Sequence, residues 1–161
     1  MKQKGVVNTS KSSAKDRVTA YAFKAGATTR DTDAPTADPE LIVNVERGTY
    51  RVALDLFWIF ANGDGATITY NGGSASISTA TLEEWAIADT DTKDILYTFK
   101  SAGDGAATAF NLDNAGDVYM QTRGVVTFTT DGTFALKWGG LSGGAIHTLS
   151  ANSSLSLVQI Q

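Results

Sequence analysis

Tyr50-Arg51-Val52-Ala53-Leu54-Asp55-Leu56-Phe57-Trp58-Ile59-Phe60 decides the fold. Tyr50, Val52, Leu54, Leu56, Trp58 and Phe60 recur at every second position, which places all six on one side of a β-strand. The other side opens polar with Arg51 and Asp55 and closes apolar with Phe57 and Ile59. The far end of this strand is therefore apolar on both faces. It lies between two layers or meets another subunit, and exposed it would be an aggregation hazard.

Shorter alternations surround it. Leu41, Val43 and Val45 form one set, and Ala66, Ile68 and Tyr70 another. Ile95, Tyr97 and Phe99 follow, then Phe110 with Leu112, Val126 with Phe128, and Phe134, Leu136 and Trp138. Leu155 and Leu157 run into Val158 and Ile160, where the change of face suggests a bulge. Glycine- and asparagine-rich turns such as Asn71-Gly72-Gly73 and Asp131-Gly132 separate these pieces. Many short strands at such spacing specify an all-β sandwich or barrel. Thr81 with Glu84 fits a helical capping box over 81–87, for one or two turns at most, although Trp85 and Ile87 suit a strand equally well.

Charge divides the 161 residues in two. Residues 1–30 hold seven of the 13 basic side chains and a single acid, a balance of +6, which leaves −10 on residues 31–161. Residues 1–16 are polar, basic and Ser-rich, with too little apolar area for a core, and read as an extended N-terminal arm. Residues 17–161 are the folded unit, with 28–40 as a Thr/Asp/Pro linker. The acidic body argues against nucleic acid as a partner. No apolar run approaches a membrane span; the longest is Leu56 to Ala61. The first 20 residues lack an apolar signal core, so the expectation is a protein made and used without secretion.

The chemistry available is narrow. Without cysteine there is no disulfide, Cys-ligated zinc or thiol nucleophile, and a single histidine gives no His-cluster metal site. Gly140-Leu141-Ser142-Gly143-Gly144 matches the nucleophile-elbow string, but that device needs a following helix and a distant histidine. Here the only histidine is His147, five residues on, so Ser142 belongs to a glycine-rich hairpin. Asp89-Thr90-Asp91-Thr92-Lys93-Asp94 opens like a calcium loop, then places Lys93, Asp94 and Lys100 where a ligand, a glycine and a bidentate Glu are required. It is an acidic loop. The adjacent Glu83 and Glu84 read as a solvated face, not as opposed glycosidase acids. Trp58 and Trp138 lie in alternating patterns and are core, whereas sugar stacking would need them exposed. No catalytic residue, metal or cofactor is assigned.

Three stretches carry a resemblance. They are 37–52, with Gly48-Thr49-Tyr50-Arg51-Val52 opening the long aromatic strand; the hairpin 124–138; and the closing strand 149–158. Together they resemble the tumour-necrosis-factor-like jelly-roll domain of bacteriophage virion proteins, over about 41–60 and 124–160, with 61–120 departing from the pattern. The resemblance implies an antiparallel jelly-roll sandwich and a homotrimer packed along a threefold axis, with Phe57 and Ile59 at the subunit interface. It points to a non-enzymatic virion structural protein, in particular a capsid decoration (cement) protein. Lys2, Lys4, Lys11, Lys15 and Arg17 would anchor the arm to the major capsid protein. Such a protein would reside in the host cytoplasm before assembly and on the capsid surface afterwards. The alternative is a head- or tail-fibre knob binding a cell-surface glycan through loops 61–66, 71–74, 101–107 and 139–144.

Overall fold

The computed structural model describes residues 19–60, 65–70, 73–88, 95–102, 108–110, 116–140, 144 and 146–160. The arm with Lys2, Lys4, Lys11, Lys15 and Arg17, Ser142, the acidic loop 89–94 and most of the loops named for glycan binding lie outside these residues.

The described chain is all-β. Its strands are β1 (Thr19–Phe23), β2 (Thr28–Arg30), β3 (Thr36–Val45), β4 (Gly48–Phe60), β5 (Ala66–Thr69), β6 (Ile77–Ala88), β7 (Ile95–Ala102), β8 (Thr108–Phe110), β9 (Gly116–Phe128), β10 (Gly132–Gly140), β11 (His147–Leu149) and β12 (Ser154–Gln159). They form two antiparallel sheets. The larger runs β1-β12-β4-β9-β6-β7 with the short β2 and β11 beside β4, and the smaller runs β3-β10-β5-β8.

The pairing is that of a jelly roll. β1 pairs with β12, β3 with β10, β4 with β9 and β5 with β8, all antiparallel. The first half of the chain therefore lies against the second in nested order, as one long hairpin. Folding that hairpin over joins β12 to β4 in one sheet and β10 to β5 in the other. The segment 70–107, between the paired β5 and β8, adds the hairpin β6–β7 beyond β9. This inserted hairpin accounts for part of the middle region that departs from the jelly-roll pattern.

Period-2 burial builds the core. Tyr50, Val52, Leu54, Leu56, Trp58 and Phe60 all point between the sheets and are buried, as are Leu41, Val43, Val45, Ile68, Phe134, Leu136, Leu155 and Leu157. Trp58 and Trp138 meet edge to face from opposite sheets, ring centroids 5.0 Å apart. Burial of each large apolar side chain stabilises the fold by about 1.5–3 kcal/mol. His147 is buried too, its ring edge-on to Phe60 at 5.2 Å, in a structural position.

Four expectations are corrected. Residues 28–40 are not a periodless linker: they contain β2 and the start of β3, where Asp38 points inward to a buried lysine. Residues 81–87 are strand, since β6 is paired on both sides and its backbone groups are used in the ladders. Glu83 is exposed as expected, but Glu84 points the other way and is buried, accepting a hydrogen bond from the Tyr70 hydroxyl. Finally, β12 keeps an unbroken register with β4 through Gln159, so no bulge accompanies Val158.

Candidate subunit interface on the large sheet

The residues that alternate with the core of β4 face outward from the large sheet. In sequence they are Arg51, Ala53, Asp55, Phe57 and Ile59. Register extends each into a row across the sheet: Asp55 stands opposite Gln121 of β9 and Ser154 of β12, Phe57 opposite Tyr119, and Ile59 opposite Asp117 and Thr148. On the far side of β9, Tyr119 faces Ile87, and Gln121 faces Trp85.

On this face the apolar pair Phe57 and Ile59 lies to one side of the polar Asp55 row, with exposed Arg51, Glu83 and Asp117 around them. Phe57 is 41% exposed and Ile59 48%. Ile87 and Val125 are also exposed, and on the β1 side Tyr21 is 61% exposed and Phe23 48%. Aromatic contacts link two rows: Phe57 and Tyr119 lie 5.0 Å apart within one, and Tyr119 meets Trp85 of the next edge-on at 5.5 Å.

Asp55 accepts from three side chains of β9. The Tyr119 hydroxyl donates at 2.6 Å, Gln121 Nε2 at 2.8 Å, and Arg123 Nη2 to both oxygens at 2.9 and 3.2 Å. Arg123 Nη1 donates onward to the Leu54 and Thr122 carbonyls. Burial raises the Asp55 carboxyl pKa, but the donors and the guanidinium charge outweigh it, and the net value lies below the usual carboxylate range. Burial, reinforced by Asp55, pushes the Tyr119 hydroxyl up. The charge on Asp55 is thus already neutralised and hydrogen-bonded within the chain. Such a group can be covered by a packed surface without leaving an unpaired charge.

The sequence reading located Phe57 and Ile59, and the structure places both on this face. It missed Tyr119, Trp85, Ile87 and the Asp55–Arg123 pair. Tyr119, Gln121 and Arg123 alternate in the sequence and face outward through the β4–β9 register, whereas Trp85 and Ile87 reach this face only through the pairing of β6 with β9. Among the described residues, no group of three or more His, Cys, Asp or Glu is arranged to hold a metal ion.

No family model matches the sequence, and no curated protein matches it. Among solved structures, the chain is similar to Eiger TNF from S. frugiperda, at 16% identity and a TM-score of 0.42, covering 90% of this chain and 93% of that one. It is also similar to the CBM22-1 xylan-binding domain of Paenibacillus barcinonensis Xyn10C (12% identity, TM-score 0.29, covering 88% and 94%). A third likeness, to infectious bursal disease virus Gx strain, has 7% identity and a TM-score of 0.18 and covers 88% of this chain and 42% of that one. At these scores the likenesses carry no functional argument.

Proposed function

We propose that this protein is a non-enzymatic structural component of a bacteriophage virion, a homotrimeric decoration protein that binds the major capsid protein and stabilises the head. The outer face of the large sheet carries the reading. Exposed Phe57, Ile59 and Ile87 lie beside an ion pair whose charges are already hydrogen-bonded within its own chain. A ligand-binding face keeps polar groups free for its ligand, whereas this one is prepared for burial against a second copy. The threefold count comes from the jelly-roll resemblance. The charge division gives the arm its role: residues 1–17 hold five basic side chains and one acid, a balance of +4 that suits an acidic shell, while −8 on residues 18–161 keeps neighbouring heads apart. Binding the assembled shell more tightly than loose subunits would stabilise it by mass action.

The experiment uses undecorated capsids, the full chain and a chain lacking residues 1–16. The full chain is expected to sediment as a trimer and to bind capsids, and the shortened one to stay trimeric and lose binding. Unchanged binding by the shortened chain overturns the arm as anchor, and a monomeric full chain overturns the interface. Binding to glycans without binding to capsids favours the fibre-knob alternative.

A further inference from the structure

Lys24, just past β1, is fully buried, and so is Asp38 at the start of β3. Lys24 Nζ lies 3.2 and 3.1 Å from the two Asp38 oxygens, 3.0 Å from Glu40 Oε2 and 2.6 Å from Thr28 Oγ1. The backbone on either side is clamped. Lys24 N donates to the Ser153 carbonyl at 2.8 Å, and the Lys24 carbonyl accepts from Asn152 N at 2.9 Å. Asn152 adopts a left-handed φ of 71° to make that turn.

The two Asp38 oxygens have different surroundings. Oδ1 accepts the backbone N–H groups of Glu40 and Leu41 at 3.0 and 3.1 Å, a pair of donors suited to an oxyanion. Oδ2 accepts the indole N–H of buried Trp138 at 3.1 Å. The Lys24 amine and the Asp38 carboxyl group are thus held in contact away from water, with the partly exposed Glu40 carboxylate on the amine. Held this way, the two groups meet the proximity condition that makes an otherwise slow condensation effectively unimolecular. Condensation would also remove both charges from a site where keeping them is costly.

We infer that Lys24 and Asp38 form an intramolecular amide bond, with Glu40 relaying the proton. Burial raises the Asp38 pKa, but Trp138, the backbone donors and Lys24 hold it below the usual carboxylate range, so the pair begins as an ion pair. One ammonium proton passes directly to Oδ2, 3.1 Å away, which gives a neutral amine and a neutral acid. Nζ then attacks Cγ, and Glu40 Oε2, 3.0 Å from Nζ, takes a second proton from the nitrogen and passes it to the leaving oxygen. The developing charge falls on Oδ1 between the two backbone N–H groups. The Nζ–Cγ bond forms and the Cγ–Oδ2 bond breaks. Two of the three ammonium protons leave with Oδ2 as water, the third remains on the amide nitrogen, and no oxidant or reductant is involved. The bond ties the end of β1, and with it the N-terminal segment, to β3. It does not depend on capsid binding.

Mass spectrometry of the denatured, trypsin-digested full chain tests this. Trypsin does not cut after an acylated lysine. The expected product is Val18 to Arg30, uncut at Lys24, joined to Asp31 to Arg47 and lighter by one water. Glu40→Gln, checked for folding by circular dichroism, is expected to yield the separate peptides or to cross-link far more slowly. Separate Val18–Lys24 and Ala25–Arg30 peptides from the wild-type chain overturn the proposal. So does a water loss that persists in Lys24→Arg, because that loss would come from elsewhere. Cross-linking at the wild-type rate in Glu40→Gln overturns the relay.

Discussion

Phe57 and Tyr119 stand directly opposite one another on β4 and β9, ring centroids 5.0 Å apart, on the solvent side of the large sheet. Their alternate neighbours Trp58 and Val118 are buried in the core. One strand thus serves two surfaces, and the two can be separated by mutation. Phe57→Glu with Ile59→Glu places two charges on the outer face and leaves the inner row untouched. The expected outcome is a folded monomer whose unfolding free energy changes by no more than about 1 kcal/mol, because both side chains are already half exposed. Sedimentation together with urea unfolding measures the two effects. A double variant that remains self-associated would remove this face from the interface.

Gly124 governs the docking of the inserted hairpin. A Cβ there would lie 2.1 Å from the Thr81 carbonyl oxygen and 2.9 Å from Leu82 Cα, both backbone atoms of β6. Only glycine permits β6 to lie this close to β9. Gly124→Val is expected to destabilise the protein by at least the ~1–3 kcal/mol typical of overpacking. Trp85 on β6 should report it, through a fluorescence change that precedes global unfolding in urea. Wild-type stability and fluorescence in this variant would contradict the close approach.

The contrast between β4 and β6 shows what the sequence makes legible. In β4 the inward positions are all large and apolar, so the period shows in one pass, and with it the core and the outward pair Phe57 and Ile59. In β6 the inward positions are Leu82, Glu84 and Ala86, while the bulkier apolar residues Trp85 and Ile87 face partly or wholly outward. The apolar signal is inverted there, and an acid occupies the core, so 81–87 imitates a capped helix. Residues 28–40 fail for a related reason. Asp38 points inward because its partners Lys24 and Trp138 are 14 and 100 positions away, and no local pattern records them. The outer face was half legible, because a row across a sheet needs the registers of three strands.

The buried Tyr70–Glu84 pair gives a test of coupling. Tyr70 hydroxyl donates to Glu84 and shares a hydrogen bond with Thr122 Oγ1 at 3.0 Å. Burial, with the nearby Glu84 charge, pushes the Tyr70 hydroxyl far above its ordinary pKa, so it remains a donor at all working pH values. Tyr70→Phe removes that donor from a buried carboxyl group and is expected to cost about 1–3 kcal/mol. Glu84→Met removes the acceptor. In the double variant the combined loss should be smaller than the sum of the single losses, with a coupling of about 0.5–3 kcal/mol in urea unfolding. Additive losses would mean that the two groups do not act together.

Acid should weaken the protein through Asp55, and the sign follows from its environment. Its folded pKa lies below the ordinary carboxylate value, because Gln121, Tyr119 and Arg123 together outweigh the effect of burial. Between those two pKa values the unfolded chain binds more protons than the folded one, so stability rises with pH across that window. The contribution is fully present above the unfolded value, about 4 for an aspartate, and disappears as pH falls through the folded value. Asp55→Asn keeps a hydrogen-bond acceptor but removes the titration. Thermal unfolding followed from pH 6 downward should show a shallower loss of Tm for this variant than for the wild type, with the two curves converging at the acid end. Because Asp55 lies beside Phe57 and Ile59 on the proposed interface, sedimentation over the same range should show the wild-type oligomer dissociating within that window. A wild-type oligomer that persists below it, with unchanged pH dependence in Asp55→Asn, would mean that the Asp55–Arg123 pair plays no part in holding the face together.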